Sequence, residues 1–154
     1  MAEQLNKNDY INHPDKIGAL NYYSLGETTI KQLQINGIIS SKTRKYQNKK
    51  PDAIITNDRR NVVVYVENKD IGEIDTDEAV QAALEQEIDV ANRVNAPIYI
   101  VTDTTKSFWF NTKTKQQILD EDGQKLRTIF KPTENKKMLE KLINRIVTSI
   151  DSKN

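Results

Sequence analysis

The stretch from residue 49 to residue 69, KKPDAIITNDRRNVVVYVENK, constrains the fold of this chain more than any other. Two apolar runs flank a polar segment, a pattern typical of a β-hairpin. Asp52 stands at the start of the first run, and Glu67, Asn68 and Lys69 stand at the end of the second. Because apolar strands need no carboxylate in order to fold, the charged residues at this end of the hairpin require a chemical explanation.

The hairpin register decides whether these charges meet. A four-residue loop at positions 58–61 would place three pairs opposite each other, Asn57 with Val62, Ile54 with Tyr65, and Asp52 with Glu67. Directly opposed residues share a face of the sheet, with Cβ atoms about 4.5–5.5 Å apart. Lys69 lies two residues after Glu67 and shares that face, whereas Asn68 points away. A loop longer or shorter by one residue would offset Asp52 from Glu67.

Two carboxylates about 5 Å apart repel each other by roughly 3 kcal/mol at an effective dielectric constant of 20, so a positive charge is expected between them. Lys69 alone could supply it, and the residues would then form a salt-bridge cluster at the end of a sheet. A divalent cation is the functional alternative, because Mg²⁺ is held by only one or two protein carboxylates together with water and phosphate oxygens. Lys69 would then be free to orient or deprotonate a water bound to the cation, which would stabilise charge on a cleaved phosphate.

The chain before the hairpin predicts one helix. Residues 1–20 are polar without a clear period and indicate a loosely structured lead-in. Ser24 and Glu27 have the spacing of a capping box, so we expect a helix from there to about Asn36, where Gly37 is a stop signal. Residues 38–47 are basic and suggest an edge strand followed by a loop.

The chain after the hairpin alternates between helix and strand. Residues 77–95 have apolar positions at helical spacing, and an apolar strand starts at Pro97. The order strand, helix, strand predicts a parallel pair with a crossover helix, and hence an α/β fold. Further strands are expected at residues 107–111, which contain the only Trp, and at 117–119. A helix at 135–150 would either pack on the domain or connect to a further domain.

The composition narrows the class of protein. With 154 residues the chain is one domain by length, and its longest uncharged apolar run, of five residues, is far too short to span a bilayer. No secretory signal and no cysteine are present, which favours a cytoplasmic protein without disulfides or thiolate metal sites. The single histidine, His13, excludes a metal site built from several histidines of this chain, and we expect it on the surface of a loop. The net charge of +1 excludes a globally basic nucleic-acid binder, but basic residues cluster locally at Lys42, Arg44, Lys45, Lys49, Lys50, Arg59 and Arg60.

Pro51-Asp52, followed after fourteen residues by Glu67-Asn68-Lys69, closely resembles the signature of the PD-(D/E)xK nucleases. The stretch from about residue 27 to 110 is similar to the N-terminal nuclease domain of type I restriction enzyme R subunits and of fused restriction-methylase enzymes. Residues 101–109, from Val-Thr-Asp to Trp, are similar to a later element of that group. The resemblance implies a restriction-endonuclease-like αβββαβ core at residues 21–131, with a mixed central sheet flanked by helices, plus the C-terminal helix.

The resemblance also implies roles for single residues. Asp52 and Glu67 would be metal ligands, with the backbone carbonyl of Asn68 as a third, and Lys69 would be the catalytic lysine. Gln81 matches the glutamine of a Q-xxx-Y motif, although Glu85 stands where the family has tyrosine. Glu27 would correspond to a glutamate of the first helix that joins the metal site, unless it serves as a helix cap.

The implied function is a Mg²⁺-dependent endonuclease domain, with Mn²⁺ as a substitute, that hydrolyses DNA phosphodiester bonds in a restriction-modification system. The basic cluster would contact DNA phosphates, which gives affinity without sequence choice. We therefore expect further domains or subunits for target recognition, methylation or translocation, with dimerisation allowed and no membrane partner. Two alternatives stay open: an inactive nuclease-fold module that binds DNA or docks a partner, and a nuclease selective for DNA junctions.

Overall fold

The computed structural model describes residues 14–152 and shows an α/β protein with a six-stranded mixed sheet. The strands are β1 (Asp15–Ile17), β2 (Leu20–Ser24), β3 (Ala53–Thr56), β4 (Val62–Asn68), β5 (Ile98–Thr102) and β6 (Ser107–Asn111), and the helices are α1 (Ile30–Ile35), α2 (Asp77–Arg93) and α3 (Lys136–Ser152). The strands lie in the order β1-β2-β3-β4-β5-β6. All neighbours are antiparallel except β4 and β5, which are parallel.

Two apolar cores cover the two faces of the sheet. One core contains the inward residues of α1 and α2, and the other contains those of α3. Along β4, Tyr65 packs in the α1–α2 core while Val64 and Val66 pack in the α3 core. This alternation is what a period-two strand buried on both faces requires. The protein is therefore built in three layers, with the sheet in the middle.

The predicted hairpin is present as β3 and β4, and its central register is confirmed. Ile54 pairs with Tyr65. The loop prediction was wrong by one residue, because the loop runs over positions 57–61 and Thr56, not Asn57, pairs with Val62. A bulge in β4 restores the register: Val63 is an extra residue and faces the same core as Val64.

The loop owes its length to one asparagine. The side-chain oxygen of Asn57 accepts hydrogen bonds of 3.0 Å from the backbone N–H groups of both Arg59 and Asn61. Arg60 takes a left-handed conformation, with φ of 64°. An Asx turn of this kind closes five residues as readily as four, and sequence spacing alone does not distinguish the two.

The predicted crossover is confirmed. Helix α2 begins after Thr76, whose side chain caps the backbone N–H of Ala79, and it leads from β4 to the parallel strand β5. Helix α2 packs on both of these strands. Parallel neighbours bring their carboxyl ends to the same edge of the sheet, so the end of β4 lies beside the end of β5 and next to α2.

The predicted strand at residues 107–111 is present as β6, and its aromatic side chains contribute to both cores. Phe108 and Phe110 pack on the α1–α2 side, whereas Trp109 packs on the α3 side. The indole N–H of Trp109 donates to the carbonyl of Thr128 at 2.8 Å. These three rings are therefore buried core residues.

The start of α1 differs from the prediction. The capping box is formed by Thr29 and Gln32, not by Ser24 and Glu27: Thr29 Oγ1 accepts from the Gln32 N–H at 3.1 Å, and the Gln32 side chain accepts from the Thr29 N–H at 2.9 Å. Ser24 is unavailable because it pairs with Ala53 in the sheet. The predicted end is confirmed, since Asn36 is the C-cap and Gly37 follows with φ of 67°.

Three weaker secondary-structure predictions also change. The lead-in was predicted to lack regular structure, but residues 15–17 form β1; residues 1–13, including His13, lie outside the described part of the chain. Residues 38–47 contain no strand, and residues 117–119 make only isolated bridges.

The order of the elements also differs from an αβββαβ core. Two strands separate α1 from α2, whereas an αβββαβ order would have three. Strand β2, which precedes α1, completes the antiparallel meander.

The C-terminal helix α3 packs on the domain. Leu139, Ile143 and Ile146 are buried in the second core, and Glu140 accepts a 2.7 Å hydrogen bond from the backbone N–H of Ala19 in the β1–β2 turn. Of the two predicted roles of this helix, packing on the domain and connection to a further domain, the first is observed. No helix within residues 14–152 is long and apolar enough to cross a membrane.

Candidate active site

Asp52 lies just before β3 and is held from both neighbouring strands. Its carboxylate Oδ2 accepts a 2.7 Å hydrogen bond from the backbone N–H of Asn68, and its carbonyl accepts one of 2.9 Å from Leu25. The observed pairing of Ala53 with Val66, continued by one residue, places Asp52 opposite Glu67. The two carboxylates are thus neighbours at the edge of the sheet, as the register predicted.

Glu67 is almost fully buried, with 6% of its surface exposed. The Tyr99 hydroxyl donates to its Oε2, and the Lys69 ammonium lies 3.3 Å from its Oε1. Burial raises the pKa of Glu67, and the Tyr99 hydrogen bond and the Lys69 charge offset part of that rise. The pKa of Tyr99 is raised as well, by burial and by the Glu67 charge, so its hydroxyl remains a donor.

Lys69 follows β4 and points along α2. Its Nζ donates a 2.6 Å hydrogen bond to the side-chain oxygen of Gln86, and its backbone N–H donates to Thr102 at 2.8 Å. Only 18% of the side chain is exposed. The lysine is therefore fixed between Glu67 and Gln86.

These residues line one polar cleft of about 220 Å³. Its walls are Lys50, Asp52, Tyr65, Val66, Glu67, Asn68, Lys69 and Glu87. The backbone carbonyl expected as a third metal ligand belongs to Asn68, which is the last residue of β4 and lies in this wall. The structure therefore brings Asp52, Glu67, Asn68 and Lys69 of the PD…ExK pattern to one cleft.

Glu87 in α2 is a carboxylate that sequence reasoning missed. Burial raises its pKa, and the charge of Lys49 offsets part of this effect. The signal was present in the helical period, because Glu87 stands four residues after Ala83 and three after Leu84, both buried. A carboxylate in the apolar stripe of a helix indicates a polar site beneath it.

Two residues expected at the site do not line the cleft. Gln81 is exposed and donates to the Glu85 side chain at 3.2 Å, so Gln86, not Gln81, is the glutamine that contacts Lys69. Glu27 is exposed and lies before α1, where it forms an ion pair with Lys50 at 3.2 Å. Sequence spacing could not distinguish the two glutamines, because the motif tyrosine is absent in either register.

The predicted phosphate contacts divide into two groups at opposite ends of the hairpin. Lys50 lines the cleft, and Lys49 is close enough to influence Glu87. At the other end, Lys42, Arg44 and Arg60 line a groove of about 470 Å³. Lys45 and Arg59, the other two predicted contacts, are exposed neighbours of Arg44 and Arg60 in the sequence. The Lys45 ammonium lies 5.9 Å from the ring centroid of Tyr46, and Arg59 is in the hairpin loop. At about 3.3 Å per residue, β4 separates the two ends by about 20 Å.

The chemistry of the cleft suits a hard divalent cation. Carboxylate and carbonyl oxygens are the ligands that Mg²⁺ prefers, and one or two carboxylates suffice. Within residues 14–152, no three His, Asp or Glu side chains are arranged as a ready-made metal-binding group. This agrees with the contacts, because Asp52 faces a backbone N–H and Glu67 faces Tyr99 and Lys69.

Two larger grooves of about 530 and 620 Å³ lie near α3. Each is lined by a single carboxylate, Asp120 in the first and Asp151 in the second. Neither groove joins two carboxylates to a lysine. The small cleft is therefore the site with the most distinctive chemistry.

Comparison of the chain with protein-family models, with curated proteins and with solved structures finds no match. The functional assignment therefore depends on the residues and geometry of the cleft.

Proposed function

We propose that this protein is a Mg²⁺-dependent DNA endonuclease domain of the PD-(D/E)xK kind, serving a restriction-modification system. The observation that carries the proposal is the meeting of Asp52, Glu67 and Lys69 in one cleft at the open end of the β3–β4 hairpin. These residue types in this arrangement are what phosphodiester hydrolysis requires: oxygen ligands for a divalent cation beside a cationic hydrogen-bond donor.

Asp52 and Glu67, with the Asn68 carbonyl, would hold the cation, whose chemical contribution is to stabilise negative charge on the phosphate. The Asn68 N–H keeps the Asp52 carboxylate turned toward β4, and the Tyr99 hydroxyl fixes Glu67. Lys69, oriented by Gln86, donates a hydrogen bond to the attacking water or to a phosphate oxygen. Each acting group thus has a partner that fixes its position.

DNA is the substrate that the distribution of positive charge favours. Lys50 lies at the cleft, and Lys42, Arg44 and Arg60 lie about 20 Å away at the other end of β4. At 3.4 Å per step, a duplex laid along the hairpin would pass both groups within about six base pairs. Such contacts carry no sequence information, so target recognition would come from other domains or subunits.

The test is cleavage of plasmid, four-way and flapped DNA by the protein in Mg²⁺ or Mn²⁺, with EDTA as the blank. We expect metal-dependent cleavage that Lys69→Ala reduces by at least about 100-fold, in the range of a lost positioned proton donor. Lys113→Ala is the matched control, because Lys113 is exposed and lies after β6, outside the cleft. No cleavage of any substrate, or full cleavage by Lys69→Ala, would refute the proposal. A preference for branched DNA would assign the protein to the junction-selective class.

One observation favours a second candidate, a catalytically inactive module that binds DNA through the same fold. Lys69 is already paired with Glu67 at 3.3 Å, so Glu67 has a protein cation beside it and needs no metal ion to offset its charge. This candidate predicts DNA binding that is insensitive to EDTA and to Lys69→Ala. Electrophoretic mobility shift in EDTA and in Ca²⁺, measured beside the cleavage assay, distinguishes the two.

A further inference from the structure

Two polar atoms in the cleft are left without partners by the protein. Within residues 14–152, neither the Tyr65 hydroxyl nor Glu87 Oε2 has a hydrogen-bond partner, although both atoms are buried. Tyr65 is 1% exposed, and its ring is fixed by stacking on Tyr99 with centroids 5.6 Å apart. Buried polar groups are nearly always satisfied, so two such atoms in one cleft indicate a bound water or ion.

The two groups line the same cleft but are not hydrogen-bonded to each other. Both line the 220 Å³ cleft, Tyr65 from β4 and Glu87 from α2. Burial raises the pKa of Tyr65, and among the carboxylates Glu87 contributes most to the rise, ahead of Glu67 and Asp52. A tyrosine hydroxyl can donate a hydrogen bond and a carboxylate oxygen can accept one, so the two groups can hold one water molecule between them.

We propose that the Tyr65 hydroxyl and Glu87 hold a water molecule of a hydrated divalent cation, which makes them positioning residues of the cation site in this cleft. The water accepts a hydrogen bond from Tyr65 and donates one to Glu87 Oε2. The second lone pair of that water would bind the cation, and its second proton would face the rest of the cleft, where the carboxylate oxygens of Asp52 and Glu67 can accept it. The inference extends the proposed function, since it concerns the same site.

This arrangement explains why three carboxylates share a cleft without forming a ready-made metal group. Glu87 acts on the cation through a water, as carboxylates outside the inner coordination shell do in many metal sites. Mg²⁺ suits such a site, because it retains several of its waters when it binds to proteins. The position of Glu87 within the apolar stripe of α2 is then explained by its hydrogen bond to a water of the cation.

The experiment measures Mn²⁺ binding to the protein by isothermal titration calorimetry without DNA. We expect Glu87→Gln and Tyr65→Phe each to weaken Mn²⁺ binding by about 10-fold, the lower end of the range for groups that orient a metal site indirectly. Glu85→Gln is the matched control on the exposed side of α2 and should bind Mn²⁺ with unchanged affinity. Circular dichroism and thermal unfolding in EDTA verify that each variant is folded, and a variant that is not folded is excluded from the comparison.

Equal Mn²⁺ affinity in the unmodified protein and in Glu87→Gln would overturn the inference, and so would an equal loss in Glu85→Gln. If the protein binds Mn²⁺ and cleaves DNA while Glu87→Gln binds normally, only this inference fails. If the two cleft variants lose affinity but no DNA is cut, the inference stands and the nuclease proposal fails. Absence of Mn²⁺ binding by the unmodified protein would overturn both.

Discussion

The backbone N–H of Asn68 donates a 2.7 Å hydrogen bond to the Asp52 carboxylate. This bond connects the residue before β3 with the last residue of β4, and so joins the two halves of the PD…ExK pattern, which are separated by fourteen residues in the sequence. A backbone donor fixes the direction of a carboxylate. The hairpin thereby holds the Asp52 side chain turned toward β4.

Replacing Asp52 by Asn should abolish function while keeping the fold. The amide can still accept the Asn68 hydrogen bond, but it removes the negative charge that a cation needs. We expect Mg²⁺-supported DNA cleavage to fall by at least about 100-fold, corresponding to about 3 kcal/mol of transition-state stabilisation. Asp58→Asn, an exposed change in the loop at the other end of the hairpin, should cleave normally. Cleavage by Asp52→Asn at the unmodified rate would contradict the assignment.

The hairpin and its register were predictable because strand alternation, a polar turn and burial all constrain the same residues. Ile54 pairs with Tyr65 as expected, even though the loop is one residue longer, because the bulge at Val63 compensates. The compensation could not be foreseen: the Asn57 side chain that stabilises the longer loop gives no signal in a hydrophobic pattern. The position of Asp52 was therefore predicted correctly, although the loop length used in the prediction was one residue too short.

Other features escaped prediction because they depend on tertiary contacts. The strand β1 has three residues and is stabilised by β2 and by α3, which is distant in sequence. The choice between Gln81 and Gln86 depends on the rotation of α2 against the sheet, which local sequence does not specify. Glu87 was detectable, since it interrupts the apolar stripe of α2, whereas the motif glutamine Gln81 lies on the exposed face of the helix.

Tyr99→Phe should destabilise the protein by about 1–3 kcal/mol, because Glu67 would lose its hydroxyl donor in a buried position. The phenyl ring retains the stacking on Tyr65, so the change removes only the hydroxyl, which also lies 3.3 Å from the carbonyl oxygen of Ala83. Urea denaturation at neutral pH measures the loss. In a protein that already carries Glu67→Gln, Tyr99→Phe should lower the free energy of unfolding by less than it does in the unmodified protein, because the two side chains interact. Strict additivity of the two changes would contradict the coupling.

Asp103 is expected to make the fold less stable in acid than at neutral pH. Burial alone would raise its pKa, but hydrogen bonds from Thr105 and Lys106, together with the Lys106 charge, outweigh burial and hold the pKa of Asp103 below its usual value. A depressed pKa in the folded state means stabilisation that is complete above the unfolded pKa and is lost as pH falls through the folded one.

Asp103→Asn should therefore destabilise the protein by about 1–2 kcal/mol at pH 7, the difference between charged and neutral hydrogen bonds. The difference in the free energy of unfolding between the variant and the unmodified protein should disappear as the pH falls below the ordinary aspartate pKa of about 3.9. Urea denaturation at a series of pH values measures it. Asp122→Asn, an exposed change in a turn, should show no comparable pH-dependent gap. A gap for Asp103→Asn that is constant with pH would indicate that packing, not charge, is responsible.

The two glutamines of α2 provide the sharpest comparison of sequence with structure. Gln86 accepts the hydrogen bond that orients Lys69, whereas Gln81 contacts only Glu85 among the described hydrogen-bond partners. Gln86→Ala should lower DNA cleavage by about 10-fold, the cost of about 1.4 kcal/mol for one mispositioned group. Gln81→Ala should leave cleavage unchanged. Rates under single-turnover conditions with saturating Mg²⁺ separate this effect from altered metal affinity. A loss in Gln81→Ala with full activity in Gln86→Ala would mean that α2 presents its other face to the substrate, and the orientation of Lys69 would then need another cause.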